Sequence, residues 1–460
     1  MTRLQSVVLA ILGFIITFVE PAAATSLTLD QQKNIDDSVL EWLHKTGAPS
    51  VSIAVVSEGA LAYAKAYGAA RLDPLTPATV EMRYPIGSVS KQFTAAAILL
   101  LQQNGAVSLD DPVSKYFPSL AGAGIVTIRQ VLSHTGGFRD YTPLDYMPLG
   151  ELKPTTPQNI LDAYAKGSLD FQPGTDWQYS NTDYVIAAKI VERVSHEPLM
   201  KYLSINIFDP LKMHGVADYD AHSLPDAALT GYTTYDFGPV RQAPVEAVGW
   251  KFGAGELAMS PSTLALWDVS LIDRTLLQPK AYEALLSSEK LKSGKDTNYS
   301  LGLSLRKDAS GLVAFHGGSV SGFNAQNYVW LNQRVAVVVL SNGGWLQPRE
   351  VVERVSYVVL PPTAAEAQVR HLFNAFKQGK IERSLFTDGA NAYFTPSVLV
   401  DQAAGLGAMG PMRTIRLIHE ETRGGEHFSL WRIVTATKIV VAAVYTLPNG
   451  KIDQFIIGDP

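Results

Sequence analysis

Apolar residues recur at helical spacing from Leu29 to Lys45 (Leu29, Ile35, Val39, Leu40, Leu43) and stop at Gly47-Ala48-Pro49, which predicts one amphipathic helix. Two short apolar runs follow, Val51–Val56 and Leu61–Tyr67. Glu58-Gly59 between them is the mark of a hairpin. From about residue 80 to 295 the pattern turns mainly helical, with helices expected at Ser88–Asn104, Asn181–Ser195 and Pro261–Ile272, the last capped by Ser260 with Pro261 in its first turn. Strand patterning returns at Tyr299–Arg306, Leu312–Phe315, Phe323–Leu331 and Val335–Leu340, before a helical Glu350–Val359. The expected architecture is α+β: an antiparallel sheet built from both ends of the domain and flanked by helices, with a helical subdomain inserted.

Pro361-Pro362 punctuates the chain, and a boundary is placed there. Beyond it, Ala364–Phe376 reads as a helix. Thr414–Glu420, Phe428–Ala436, Ile439–Thr446 and Ile452–Ile457 read as strands joined by Gly424-Gly425 and Pro448-Asn449-Gly450 turns. Residues 363–460 are thus expected to form a small α+β accessory module. On element order it resembles the nuclear-transport-factor-two-like fold. At the other end, Arg3 precedes the apolar run Val7–Val19, then Glu20-Pro21 and the small residues Ala22-Ala23-Ala24, the composition of a cleavable export signal over residues 1–24. The run is short for a membrane span, so the expectation is an exported periplasmic or extracellular protein with no stable membrane insertion after cleavage.

Charge removes several function classes. Lys+Arg total 38 against 43 Asp+Glu, a net charge of −5 with no basic block, so a footprint for nucleic acid is missing. The chain has no cysteine, which excludes disulfides, thiolate metal sites and a cysteine nucleophile. Without a His-Glu-x-x-His, Walker or dinucleotide motif, no metal and no cofactor is expected.

Chemistry concentrates in three places. In Ser88-Val89-Ser90-Lys91 the hydroxyl and amine stand three residues apart, close enough on a helix for a desolvated lysine to take the serine proton. Tyr179-Ser180-Asn181 places a phenol and an amide just before a helix, where one can relay a proton and the other can hold Lys91 or a substrate carbonyl. His316-Gly317-Gly318-Ser319 closes a predicted strand; its glycines let a substrate approach the backbone, and the N–H groups of Ser88 and Ser319 can form an oxyanion hole. Each motif alone is weak. Ser287–Lys290 and Ser204–Asn206 echo the first two and are read as a solvated helix end and turn chemistry, and His134 as a loop-fixing residue.

In this order the three motifs resemble the penicillin-recognising serine hydrolases: class C β-lactamases, DD-peptidases and their esterase relatives. Leu109-Asp110-Asp111-Pro112, Ser133-His134-Thr135-Gly136-Gly137, Ile207–Leu211 and Gly253–Leu257 are similar to that family too, over roughly Leu29–Leu360. The resemblance implies that Ser88 is acylated, that Lys91 and Tyr179 move its proton, that Asn181 orients substrate and that His316 lines the opposing strand. Where drug-hydrolysing members carry Lys-Thr-Gly or Lys-Ser-Gly, this chain has His316-Gly317-Gly318. A neutral imidazole attracts a carboxylate less than an ammonium does. The expected function is therefore hydrolysis of an ester or peptide-like amide in a small molecule, peptide or cell-wall fragment. β-Lactamase or D-alanyl-D-alanine carboxypeptidase activity is the alternative, and a catalytically inactive binding protein is the competing class. Whether Lys91 or Tyr179 is the main base stays open, as does a dimer through the C-terminal module.

Overall fold

The computed structural model describes residues 26–460 except 143–147, 222 and 309, so the leader expected over 1–24 lies outside the described residues. Ser50–Ser57 and Ala60–Leu72 form the expected hairpin. Its turn residues Glu58 and Gly59 both adopt positive φ, 54° and 82°, the twist that lets two adjacent strands close tightly.

The hairpin joins strands from the far end of the domain in one antiparallel seven-stranded sheet. Ser50–Ser57 pairs with Val335–Ser341, which pairs in turn with Phe323–Trp330, Gly311–Val320 and Ser304–Asp308. The interior strand Ser50–Ser57 is buried along nearly its whole length because both of its faces are covered. Its side chains alternate between two cores. Val51, Ile53 and Val55 pack under the helices Leu29–Thr46 and Pro348–Val359, whereas Ala54 and Val56 face the helical insertion, which includes Lys91–Gln103, Asn181–Ser195 and Pro261–Asp273.

Residues beyond Pro362 gather around a third hydrophobic cluster that includes Phe373, Phe376, Phe394, Trp431, Ile433 and Phe455. Their four strands, Met412–Arg423, Glu426–Thr435, Ile439–Thr446 and Ile452–Gly458, form an antiparallel meander in chain order. Arg416 ties it to the preceding helix by a 3.2 Å ion pair with Glu353. Two helices there, Asp388–Tyr393 and Pro396–Gly407, escape the periodicity reading, although Thr387 and Thr395 each cap one with a side-chain oxygen. Among the described residues no helix is long and apolar enough to cross a membrane.

Three expected elements differ in ways that matter for the site. The helix expected to start at Ser88 is a 3₁₀ turn, Gly87–Ser90, followed by an α-helix from Lys91. The strand expected at Tyr299–Arg306 begins at Ser304, because Ser300–Leu303 makes a turn with Gly302 at φ 79°. The strand expected to end at Phe315 runs on to Val320, so His316, Gly317 and Gly318 lie within the sheet and pair with Asn327, Gln326 and Ala325.

Candidate active site

The 3₁₀ turn sets the first contact. With three residues per turn, positions i and i+3 eclipse, and Lys91 Nζ comes to 3.1 Å from Ser88 Oγ. The amine is buried and makes two more short contacts, 2.7 Å to Asn181 Oδ1 and 2.9 Å to the Ala254 carbonyl. Both of those oxygens can only accept, so two N–H bonds are committed to them. The remaining tetrahedral position of the nitrogen faces Ser88. Burial draws the Lys91 pKa down to about 7, opposed by Asp140, Glu256 and Asp183. An uncharged amine therefore exists near neutral pH, with its lone pair towards the serine hydroxyl.

Asn181, the first residue of its helix, is held by Asp140. One carboxylate oxygen accepts the Asn181 backbone N–H at 2.9 Å, and both lie within 3.3 Å of its Nδ2. That clamp turns Oδ1 towards Lys91. Sequence reasoning missed Asp140; the available signal was its place just after Gly136-Gly137 in a loop already marked as informative.

Tyr179 stands over the amine, its ring centroid 4.8 Å from Lys91 Nζ. Its hydroxyl is buried, and burial raises its pKa well above that of a free phenol, with Ser88 opposing the rise and Asp140 adding to it. Behind it lies His134, wholly buried, with its ring centroid 4.5 Å from that of Tyr179 and Nδ1 2.9 Å from Asp183 Oδ2. Burial pushes the imidazole pKa down and the carboxyl pKa up, disfavouring charge on both partners. His134 does fix the loop, and it also supports the phenol.

The third motif approaches from the sheet. A Cβ on Gly318 would lie 1.9 Å from the Ile86 carbonyl oxygen and 2.8 Å from the Ser88 nitrogen. One on Gly87 would lie 2.7 Å from the Ser319 nitrogen. Only glycines allow the strand and the 3₁₀ turn to come this close, with the Ser88 nitrogen beside Gly318 and the Ser319 nitrogen beside Gly87. His316 is buried and uncharged: burial, then Lys91, lowers its pKa to about 4. Its Nδ1 is 2.6 Å from the Gly317 carbonyl, an acceptor only, so Nδ1 carries the proton and Nε2 accepts from the Tyr299 hydroxyl at 2.9 Å. The turn at Ser300–Leu303 sets the start of the strand at Ser304 and leaves Tyr299 outside it, joined to Ser304 by an isolated bridge. Tyr299, too, was missed, because the sequence pattern assigned it to a strand.

The two echo motifs stay apart from this group. Ser204 and Asn206 bond to carbonyls of their own helical segment, and Ser288 bonds to Asp296 in a loop, where a helix end was expected. Of the C-terminal histidines, His371, His419 and His427 each sit beside a different glutamate on the surface. Among the described residues no cluster of three or more His, Asp or Glu could hold a metal.

The signature of the Beta-lactamase family matches residues 31–355. A penicillin-binding protein of Bacillus subtilis (strain 168) is 26% identical over 298 residues, covering 62% of this chain and 66% of that protein. The D-aminopeptidase of Brucella ovis is 30% identical over 306 residues, covering 64% of this chain and 56% of its own length. The chain thus spans about half to two thirds of these curated relatives. The octameric penicillin-binding protein homologue of Pyrococcus abyssi superposes with a TM-score of 0.60 at 21% identity, over 93% of this chain and 99% of that one. The match over residues 31–355 places this chain in the Beta-lactamase family.

Proposed function

We propose that the protein is a serine hydrolase that cleaves an ester or peptide-like amide through an acyl-enzyme on Ser88. The observation that carries this reading is the buried Lys91 amine, 3.1 Å from Ser88 Oγ with its other hydrogens committed to Asn181 and Ala254. Ser88 Oγ bonds to the scissile carbonyl carbon as its proton passes to Lys91 Nζ. The N–H groups of Ser88 and Ser319 hold the oxyanion. The bond to the leaving oxygen or nitrogen then breaks, and that atom receives the proton by way of the Tyr179 hydroxyl. Water repeats the sequence: its oxygen bonds to the acyl carbon, its proton goes to Lys91, and Ser88 leaves and regains a hydrogen. Asn181 fixes the amine through its Oδ1.

The neutral, hydrogen-bonded His316 offers no cation to a substrate carboxylate, which favours esters and blocked amides over penicillins or free D-alanine termini. Labelling with a fluorophosphonate, located by mass spectrometry, tests the reading. An adduct on Ser88 and loss of ester turnover in Ser88→Ala are expected; turnover that survives this substitution defeats it.

The enzyme is read as exported, through the signal over residues 1–24, with a hydrolase domain over 25–362 and an accessory module over 363–460 of nuclear-transport-factor-two-like element order. N-terminal sequencing of the secreted form should begin after Ala24. The separate hydrophobic cluster beyond Pro362 supports a module that covers the cleft or joins two copies. Removal of residues 363–460 should change either activity or particle mass.

A further inference from the structure

A cavity of about 520 Å3 has Tyr179, His316 and Gly317 along one stretch of its wall. Any group it holds therefore lies against Tyr179, the residue proposed to return the proton. Trp177, Tyr299 and Phe315 add three aromatic rings to Tyr179 and the His316 imidazole, among polar and basic residues such as Asn298 and Lys307. The ring centroids of Trp177 and Tyr299 are 5.8 Å apart, and those of Tyr299 and His316 are 5.7 Å apart and nearly perpendicular.

These rings are fixed from behind. The buried His134 lies 4.5 Å from Tyr179, 4.9 Å from Tyr299 and 6.2 Å from Trp177, and so serves as a common backing for three walls. Tyr299 is further held by its bond to His316 Nε2. Trp177, 36% exposed, keeps part of its surface for a ligand. A wall that is already rigid costs little ordering on binding, and flat π surfaces favour stacked or edge-on contact with another ring.

Charge narrows the occupant further. No Asp or Glu is among the described lining residues, whereas Arg306 and Lys307 both contribute to the wall. The imidazole at the centre is neutral, and its Nε2 lone pair is already used by Tyr299. A cationic group would meet Arg306 and Lys307 as like charges; a neutral or acidic ring gains stacking without a desolvated charge against the imidazole.

We propose that this cavity is the specificity pocket of the enzyme and takes an aromatic, non-cationic group of the ester or amide substrate, with Trp177 and Tyr299 as its determining walls. The proposal rests on the hydrolase reading for the word substrate, but the pocket itself can be tested without turnover. The kinetic arm compares phenyl acetate and methyl phenylacetate with methyl acetate in wild type, Trp177→Ala and Trp177→Phe. Comparing ratios of kcat/KM between variants cancels the intrinsic reactivity of each ester. Trp177→Ala should lower the aromatic-to-methyl ratio roughly tenfold for at least one aromatic ester, and Trp177→Phe should restore most of it. The binding arm measures benzamide by calorimetry with Ser88→Ala and with the Ser88→Ala/Trp177→Ala double variant. Binding to the first that weakens roughly tenfold in the second upholds the pocket even if wild type hydrolyses nothing, an outcome that would overturn only the hydrolase reading. An unchanged ester ratio in Trp177→Ala, or benzamide binding that is absent or indifferent to Trp177, overturns the pocket.

Discussion

Asp140 grips Asn181 at two points, accepting its backbone N–H at 2.9 Å and its side-chain amide at 3.2 and 3.3 Å, and so directs the amide oxygen to Lys91 Nζ at 2.7 Å. The carboxylate touches neither the serine nor the lysine amine by hydrogen bond, yet it fixes which end of the amide the amine meets. Asp140→Ala should therefore lower kcat/KM for a simple ester by about 30-fold, the scale of about 2 kcal/mol for a hydrogen bond to a charged group. Asp140 also raises the Lys91 pKa, so its removal should move the acid limb of the pH profile to lower pH. A profile that only falls in height would leave Asp140 a purely structural role.

The Lys91 pKa of about 7 sets the pH dependence of the wild type. The amine must be uncharged to accept the serine proton, so kcat/KM should rise with pH up to about 7 and level off above it. Steady-state ester hydrolysis between pH 5 and 9 checks this. An acid limb centred near pH 4 would point to a carboxylate base.

Glu256 makes the opposite prediction for stability. It is fully buried in the loop that supplies the Ala254 carbonyl, and burial lifts its pKa from 4.5 to about 8. The folded state thus binds a proton that the unfolded state has already lost between those values, and stability from this group falls as pH rises from about 4.5 to about 8. Glu256→Gln should be more stable than wild type at pH 8.5, and the gain should shrink towards pH 5. Urea denaturation midpoints at the two pH values measure it.

The two glycines of the third motif should respond differently to alanine. At Gly318 the new methyl meets backbone, the Ile86 carbonyl at 1.9 Å, so the 3₁₀ turn and strand must separate and ester turnover should be lost. At Gly317 it meets the end of the Gln326 side chain at 3.0 Å, which can swing away. Turnover in Gly317→Ala should stay within a few-fold of wild type. Equal loss in both would remove the close approach as the explanation.

His316→Lys would exchange the neutral ring for a cation facing the same cavity. Hydrolysis of a cephalosporin relative to a neutral ester should rise roughly tenfold, since a cation is gained at the third motif itself in addition to Arg306 and Lys307 of the wall. A chromogenic cephalosporin assayed beside a simple ester gives the ratio. If it stays flat, the missing cation is not what disfavours β-lactams.

Much of this was legible in the chain. Alternation and turn residues marked the hairpin at Glu58-Gly59 and the helix beginning at Asn181, because local patterning and caps act over a few residues. The spacing of Ser88 and Lys91 likewise needs only one helical turn to become a contact. Tyr299 was misassigned for the converse reason. Its neighbours are apolar enough for a strand, but Gly302 turns the chain where a Cβ would come within 2.8 Å of the Lys91 carbonyl, a constraint from 211 residues away in sequence.

By itself, then, the sequence determined the order of elements, the hydroxyl and amine of Ser88 and Lys91, and the replacement of a cation by His316, since these depend on residue identity and short spacing. The tertiary structure alone decided that Asp140 reaches Asn181, that His134 backs three aromatic walls, and that His316 spends both nitrogens on Gly317 and Tyr299. Those relationships join loops, helix and sheet edge that meet only when the cores are packed. They are set by the burial of the whole domain, which no local window of the chain contains.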